Sequence, residues 1–364
     1  MKLFKCQSCG QVLYFENRAC GRCGHRLGYL WDSETLSALE PSEPAPEGAP
    51  STGETWSALA APDRRFRFCA NAGYDTCNWL VDDGSPDAFC RACVHNSVIP
   101  DTSLPQHLEA WRIIEIAKHR LVYTLLQLRL PLQTRREDPE HGLTFEFLAD
   151  PPDAPGPTVM TGHDNGLITI ALAEADDAER ERRRTQMGEP YRTLLGHFRH
   201  EVGHHYWDLL VRDGGRLDEF RALFGDERED YGQALQRHYA QGAPPDWGSR
   251  YISAYASSHP WEDFAETFAN YLHIVDTLEM ARAFGLSVNP KVDDTGVVTA
   301  NLDVRPEFTR DFSRVLEDWL PLTFALNSLS RCLGQSDLYP FILSPPMTEK
   351  LDFVHRLVRN AKRA

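Results

Sequence analysis

The sequence predicts an α+β fold: a mostly helical domain with a small sheet, preceded by two small four-cysteine modules. Three observations carry this. Eight of the nine cysteines lie before residue 94. Apolar residues then recur at helical spacing through most of 105–364. Short alternating stretches interrupt that pattern between residues 143 and 171. A chain of 364 residues has room for one large domain plus small modules.

Residues 1–30 hold Cys6-Gln7-Ser8-Cys9 and Cys20-Gly21-Arg22-Cys23, two CxxC pairs with ten residues between them. Each pair makes a tight knuckle, and four thiolates close a tetrahedral shell around Zn²⁺. Gly10, Gly21 and Gly24 supply the turns. So short a segment buries little core, and the metal would hold it together. No βαβ pattern surrounds the pairs, which argues against a redox role.

Residues 31–62 carry six acidic residues, five prolines and no Lys or Arg. That composition predicts a solvated acidic, Pro-rich linker. Residues 63–100 hold Cys69, Cys77, Cys90 and Cys93, and predict a second structural zinc site. His95 completing the shell, or one free thiol, are the alternatives. Cys332 stands alone and is expected in the core.

Residues 105–364 read as one domain. Leu108 to Leu130 is apolar at helical spacing and stops at Pro131. Leu143 to Leu148 alternates as a strand does. Thr158 to Met160 and Leu167 to Ala171 read as strands around the turn residues His163-Asp164-Asn165-Gly166. Helices are expected at about 190–212, 216–224, 229–241, 261–280, 306–335 and 347–362.

Composition excludes some functions. Net charge is −15, a poor basis for general nucleic-acid binding. Residues 1–30 are locally basic, with five Lys/Arg against one acid, but a four-thiolate zinc centre offsets this. No apolar run approaches the ~18–20 residues of a membrane span. The opening Met1-Lys2-Leu3-Phe4-Lys5-Cys6 has no apolar signal region, so a cytoplasmic location is expected. The clustered cysteines then favour metal over disulfides.

The chemistry centres on His200-Glu201-Val202-Gly203-His204. Histidines four apart on a helix face the same way and can share one metal ion. Glu201 projects beside them, free to act as general base. Leu194, Leu195, Phe198, Val202, Leu209 and Leu210 make Tyr191 to Val211 helical. Gly203 costs a helix about 1 kcal/mol, and close approach of another backbone would explain it. A catalytic zinc takes three protein ligands. Position 207 is Trp and 210 is Leu, so no third histidine follows in metzincin spacing. Glu262 is the expected third ligand, with Asp208, Glu266, Asp263 and His259 as rivals. Glu266 sits one turn on, placed to bond the far nitrogen of a ligand histidine. Asp208 is a second candidate for that supporting position. His197 and His205 are not expected as ligands, and His273 reads either as a support behind the ligands or as a core-edge residue. Tyr255 and His259 are both candidates for the oxyanion donor.

The motif at 200–204 with a glutamate on a later helix resembles the gluzincin metallopeptidases, whose fold is zincin-like. The segment Glu262-Asp263-Phe264-Ala265-Glu266-Thr267-Phe268 is similar to the glutamate helix of the anthrax lethal-factor catalytic domain. That resemblance favours Tyr255, seven residues before Glu262, as the oxyanion donor. Over nearly its whole length the chain resembles a bacterial family of zinc-binding metallopeptidases with an N-terminal zinc ribbon. The eight N-terminal cysteines, His200 to Asp208, and His259-Pro260-Trp261-Glu262-Asp263 carry this.

The expectation is a zinc peptidase: one catalytic and two structural zinc ions, a protein or peptide substrate, and cysteine modules that recruit or regulate. A protease acting on nucleic-acid-bound proteins and a non-enzymatic zinc scaffold are the alternatives.

Overall fold

Each CxxC pair of the first module turns on the glycine that follows it. Gly10 and Gly24 sit at φ of +77° and +75°, and their N–H groups donate to the carbonyls of Cys6 and Cys20, both at 2.9 Å. Strands β1 (Phe4–Lys5) and β2 (Val12–Leu13) flank the first pair and pair with each other antiparallel. The computed structural model describes residues 2–42, 54–151, 159–180, 182, 193–292, 294–339 and 342–361.

The linker reading of 31–62 is corrected. A five-stranded antiparallel sheet runs through it, in the order β3 (Leu27–Leu30), β4 (Thr35–Pro41), β5 (Trp56–Ala58), β6 (Ala61–Phe68), β7 (Leu80–Asp82). Leu30, Leu39, Trp56, Ala58, Phe66 and Leu80 form its small core. Composition misled because the acids and prolines concentrate between residues 40 and 50. Most of these lie outside the described residues. The flanking strands are ordinary, with Leu36 to Leu39 buried and Glu40 exposed. Since β5 and β6 pair across residue 62, that division has no structural counterpart.

The second cysteine group is buried. Backbone N–H groups of Trp79 and Cys90 donate to Cys77 Sγ and Cys69 Sγ at 3.3 and 3.4 Å. His95 is not part of the cluster. Its Nδ1 bonds the Leu143 carbonyl at 2.8 Å. Phe15 joins the N-terminal region to the helical body, with its ring 5.0 Å from Tyr29, 6.1 Å from Trp79 and 5.2 Å from Tyr123. The cysteine modules therefore share one core with the rest of the chain.

Helix α1 (Pro105–Gln127) carries Tyr123. A four-stranded sheet packs nearby in the order β10-β11-β9-β8. It comprises β8 (Asn96–Val98), β9 (Thr144–Leu148), β10 (Gly162–Asp164) and β11 (Leu167–Ala171). β10 is an edge strand, antiparallel to β11, and the other pairs are parallel. The strand expected at Thr158 to Met160 is displaced. Asn165 and Gly166 both have positive φ, and this tight turn pairs Asp164 directly with Leu167. Thr158 itself lies outside the described residues.

Helices follow: α2 (Leu194–Trp207), α3 (Leu217–Phe224), α4 (Tyr231–Gln241), α5 (Pro260–Ala283), α6 (Phe312–Cys332) and α7 (Pro345–Asn360). Between α5 and α6, β12 (Ser287–Val288) and β13 (Ala300–Asn301) form a short hairpin that the sequence reading omits. Cys332 ends α6 and is exposed, against the core placement expected for it. Among the described residues no helix is long and apolar enough to cross a membrane.

Candidate metal centre

Helix α2 starts at a cap: Thr193 accepts a hydrogen bond from the Gly196 N–H at 3.0 Å. The expected start near 190 falls outside the described residues. α2 packs against α5 at a very close crossing. A Cβ on Gly203 would lie 2.9 Å from Ala265 Cα and 3.1 Å from its carbonyl oxygen. This is the close backbone approach that a helical glycine implied. It brings the face bearing His200 and His204 onto the face bearing Glu262 and Glu266.

There, Glu262 Oε2 lies 3.0 Å from His200 Nε2 and 3.6 Å from His204 Nε2. The two Nε2 atoms are 3.2 Å apart. Glu262 is 1% exposed, and among the described residues Oε2 has no hydrogen-bond partner. Two imidazole nitrogens and a carboxylate oxygen converging in a buried site are a donor set that suits zinc. Burial disfavours the Glu262 carboxylate, but His204 and His200 outweigh it and hold its pKa well below the usual range.

Glu266 stands where expected: its Oε1 is 2.7 Å from His200 Nδ1. That contact fixes which nitrogen of His200 faces the centre. Burial alone would raise the Glu266 pKa, yet bonding to His200 lowers it. Glu201 lies on the same helix, half-buried. Tyr255 begins a short turn (Tyr255–Ser258), with its ring 6.0 Å from that of His200.

The rivals are occupied elsewhere. Asp263 pairs with Lys350 at 2.6 Å. His259 caps α5, accepting from the Trp261 N–H at 3.1 Å through Nδ1 while Nε2 donates to the Glu229 carbonyl at 3.1 Å. Both nitrogens are committed, which removes it as an oxyanion donor. Asp208 does not bond His204 directly. It opens a π-helical turn and binds Arg212 at 2.6 Å, and among the described residues His204 Nδ1 has no hydrogen-bond partner. His197 Nδ1 meets Glu174 at 3.0 Å. His273 contacts Arg199, which also pairs with Asp276. His205 is buried against Tyr206, and burial pushes its pKa down to about 3.

One contributor escaped the sequence reading. Tyr231, in the first turn of α4, donates its hydroxyl to Glu262 Oε1 at 2.6 Å. Nothing in its local pattern marks it, since it reaches the site from a separate helix. Removing that bond frees the carboxylate to rotate. Tyr231→Phe is expected to weaken zinc at this site about 10–100-fold, measured by chelator competition. Unchanged affinity would show that Glu262 needs no such restraint.

The N-terminal cysteines form two further clusters. Cys6, Cys9, Cys20 and Cys23 bring their sulfurs within 4.8 Å of one another, as do Cys69, Cys77, Cys90 and Cys93. Cys93 Sγ also lies 3.7 Å from His119 Nε2. Burial opposes charge on His119, but the Cys93 sulfur outweighs it and pushes the pKa up to about 10. Buried Lys118 adds a second positive group nearby.

Residues 107–357 match the model of a family described as "Putative zinc-binding metallo-peptidase". The chain belongs to that family. The match of residues 3–104 to a zinc-ribbon domain spans both cysteine clusters of this zinc-binding metallopeptidase family member. Uncharacterized proteins of Mycobacterium tuberculosis and Mycobacterium bovis are each 40% identical to it over 359 residues, covering 98% of this chain and 95% of theirs. No solved structure matches.

Proposed function

We propose that this chain is a zinc-dependent peptidase whose catalytic ion is held by His200, His204 and Glu262, with Glu201 as general base. The observation that carries the reading is Glu262 Oε2, buried and without a hydrogen-bond partner among the described residues, beside two imidazole Nε2 atoms. Zinc, when bound there, supplies Lewis-acid activation of water and of the scissile carbonyl. Glu201 takes the proton of the attacking water and passes it to the leaving nitrogen. Tyr255 donates its hydroxyl to the carbonyl oxygen as negative charge develops. Glu266 and Tyr231 hold His200 and Glu262 in place. The two cysteine clusters take structural zinc, giving three ions per chain. Their placement in the common core favours a stabilising role over recruitment.

The test is hydrolysis of casein or a peptide library by the zinc-loaded chain. Wild type is expected to cleave, and Glu201→Gln to slow cleavage about 10²–10⁴-fold with metal content unchanged. Zinc-loaded wild type that cleaves nothing would overturn the reading. So would a Glu201→Gln variant as active as wild type.

A further inference from the structure

Four buried polar atoms on His204 and neighbouring rings have no hydrogen-bond partner among the described residues. They are His204 Nδ1, His163 Nδ1, Trp207 Nε1 and Trp261 Nε1. Their rings are neighbours. His163, in edge strand β10, lies 6.1 Å from His204 with only 19° between the ring planes. Trp261 lies 3.9 Å from His204 and 6.2 Å from His163, and Trp207 lies 6.3 Å from Trp261.

The protons can be assigned. On the reading that His204 is a zinc ligand, its Nε2 faces the centre, so its proton is on Nδ1. In His163 the hairpin decides: the Gly166 N–H donates to Nε2 at 2.8 Å. Nε2 is therefore the acceptor, and Nδ1 carries the proton. An indole nitrogen can only donate. All four atoms are donors, so none can satisfy another. A buried donor left without an acceptor loses its water and gains nothing in return. His200 has Glu266 behind it, but His204 has no direct counterpart, because Asp208 is turned to Arg212.

We infer that His163 and His204 share one acceptor, an ordered water whose oxygen receives both Nδ1–H groups, and that His163 thereby positions the ligand His204. A water oxygen has two acceptor sites, which matches two donors on neighbouring rings. Its own hydrogens need an acceptor, and the buried carboxylate of Asp208, one helical turn beyond His204 and bound by Arg212 at Oδ1, supplies one through Oδ2. The edge strand thus does for His204 what Glu266 does for His200. The inference rests on the metal reading above and goes beyond it, since His163 is remote from the ligand motif in sequence.

The experiment is chelator competition for zinc on the full-length chain, with His204→Ala identifying the ion that belongs to this centre. His163→Phe keeps the ring and removes both nitrogens. It is expected to lower affinity for that ion about 10–100-fold while cooperative melting in excess zinc persists. His163→Asn places an amide N–H near the Nδ1 position and is expected to restore affinity. His163→Gln reaches the Nε2 position and is not. If His163→Phe does not fold, the Asn and Gln pair carries the comparison. Wild-type affinity in His163→Phe, with the ion lost in His204→Ala, overturns the role of His163 and leaves the metal reading standing. Equal affinities in the Asn and Gln variants overturn it too. A His204→Ala protein that keeps every ion overturns the metal reading itself.

Discussion

Serine at Cys93 is expected to abolish cooperative folding of the whole chain, helical body included. The four sulfurs of this centre are buried, and the side chains around them are the hinge of the core. Trp79 donates its backbone N–H to Cys77 and packs 5.4 Å from His119 on α1. Phe15 then links Trp79 to Tyr123. Tyr123 and its neighbour Thr124 bond Glu279 and Asp276 on α5, both at 2.8 Å. Loss of the centre therefore propagates from the cysteines into the helix that carries Glu262. Structural zinc contributes about 10–16 kcal/mol, while a whole domain is stable by only about 5–15 kcal/mol. A hydroxyl in place of one thiolate removes enough of the first quantity to exhaust the second. Lys118 and His119 would also be left facing a weakened negative partner. Circular dichroism melting of Cys93→Ser should show no cooperative transition. Cys23→Ser, at an exposed position of the first centre, should lose one zinc and keep the transition of the body. A Cys93→Ser protein melting as wild type does would remove the second centre from any role in the core.

What the sequence disclosed follows the range of the interactions involved. The CxxC pairs and His200 to His204 are local devices, with spacings fixed by a turn or a helix. Glu262 and Glu266 were legible because they too are one helical turn apart, beside apolar anchors Phe264 and Phe268 that prove buried. Contributions from separate elements were not. Tyr231 reaches Glu262 from α4, and His163 stands beside His204 only because β10 closes the sheet edge over α2. Asp208 had the right spacing, but Arg212 lies on the same helical face and is the stronger partner for a carboxylate. The segment 31–62 failed for another reason. Its acids and prolines were averaged over a window that also held β4, β5 and the start of β6, and β4 shows no alternation to betray it, since Leu36 to Leu39 are all buried.

Gly203→Ala separates stability from metal binding, because the size of its effect differs for the two. Alanine gains about 1 kcal/mol of helix propensity over glycine. Overpacking at a tight contact costs about 1–3 kcal/mol, so the melting temperature of metal-free protein should fall only modestly. The site cannot escape so lightly. The new Cβ would meet the Cα and carbonyl oxygen of Ala265, which are backbone atoms and yield only if α5 moves. Ala265 lies between Glu262 and Glu266, so both carboxylates move with it. Glu262 then loses its 3.0 Å approach to His200 Nε2 and Glu266 its 2.7 Å approach to Nδ1. A displacement near 1 Å at a reacting centre costs about 10²-fold in rate. Chelator competition and peptide cleavage should therefore both fall about 10²-fold or more, beyond what the melting curve accounts for. Ala265→Gly added to this variant should recover little, because it removes only the 3.4 Å contact to Cβ and leaves the closer backbone contacts in place. Wild-type zinc affinity in Gly203→Ala would mean that α2 and α5 can part without disturbing the ligands, and that this glycine serves packing alone.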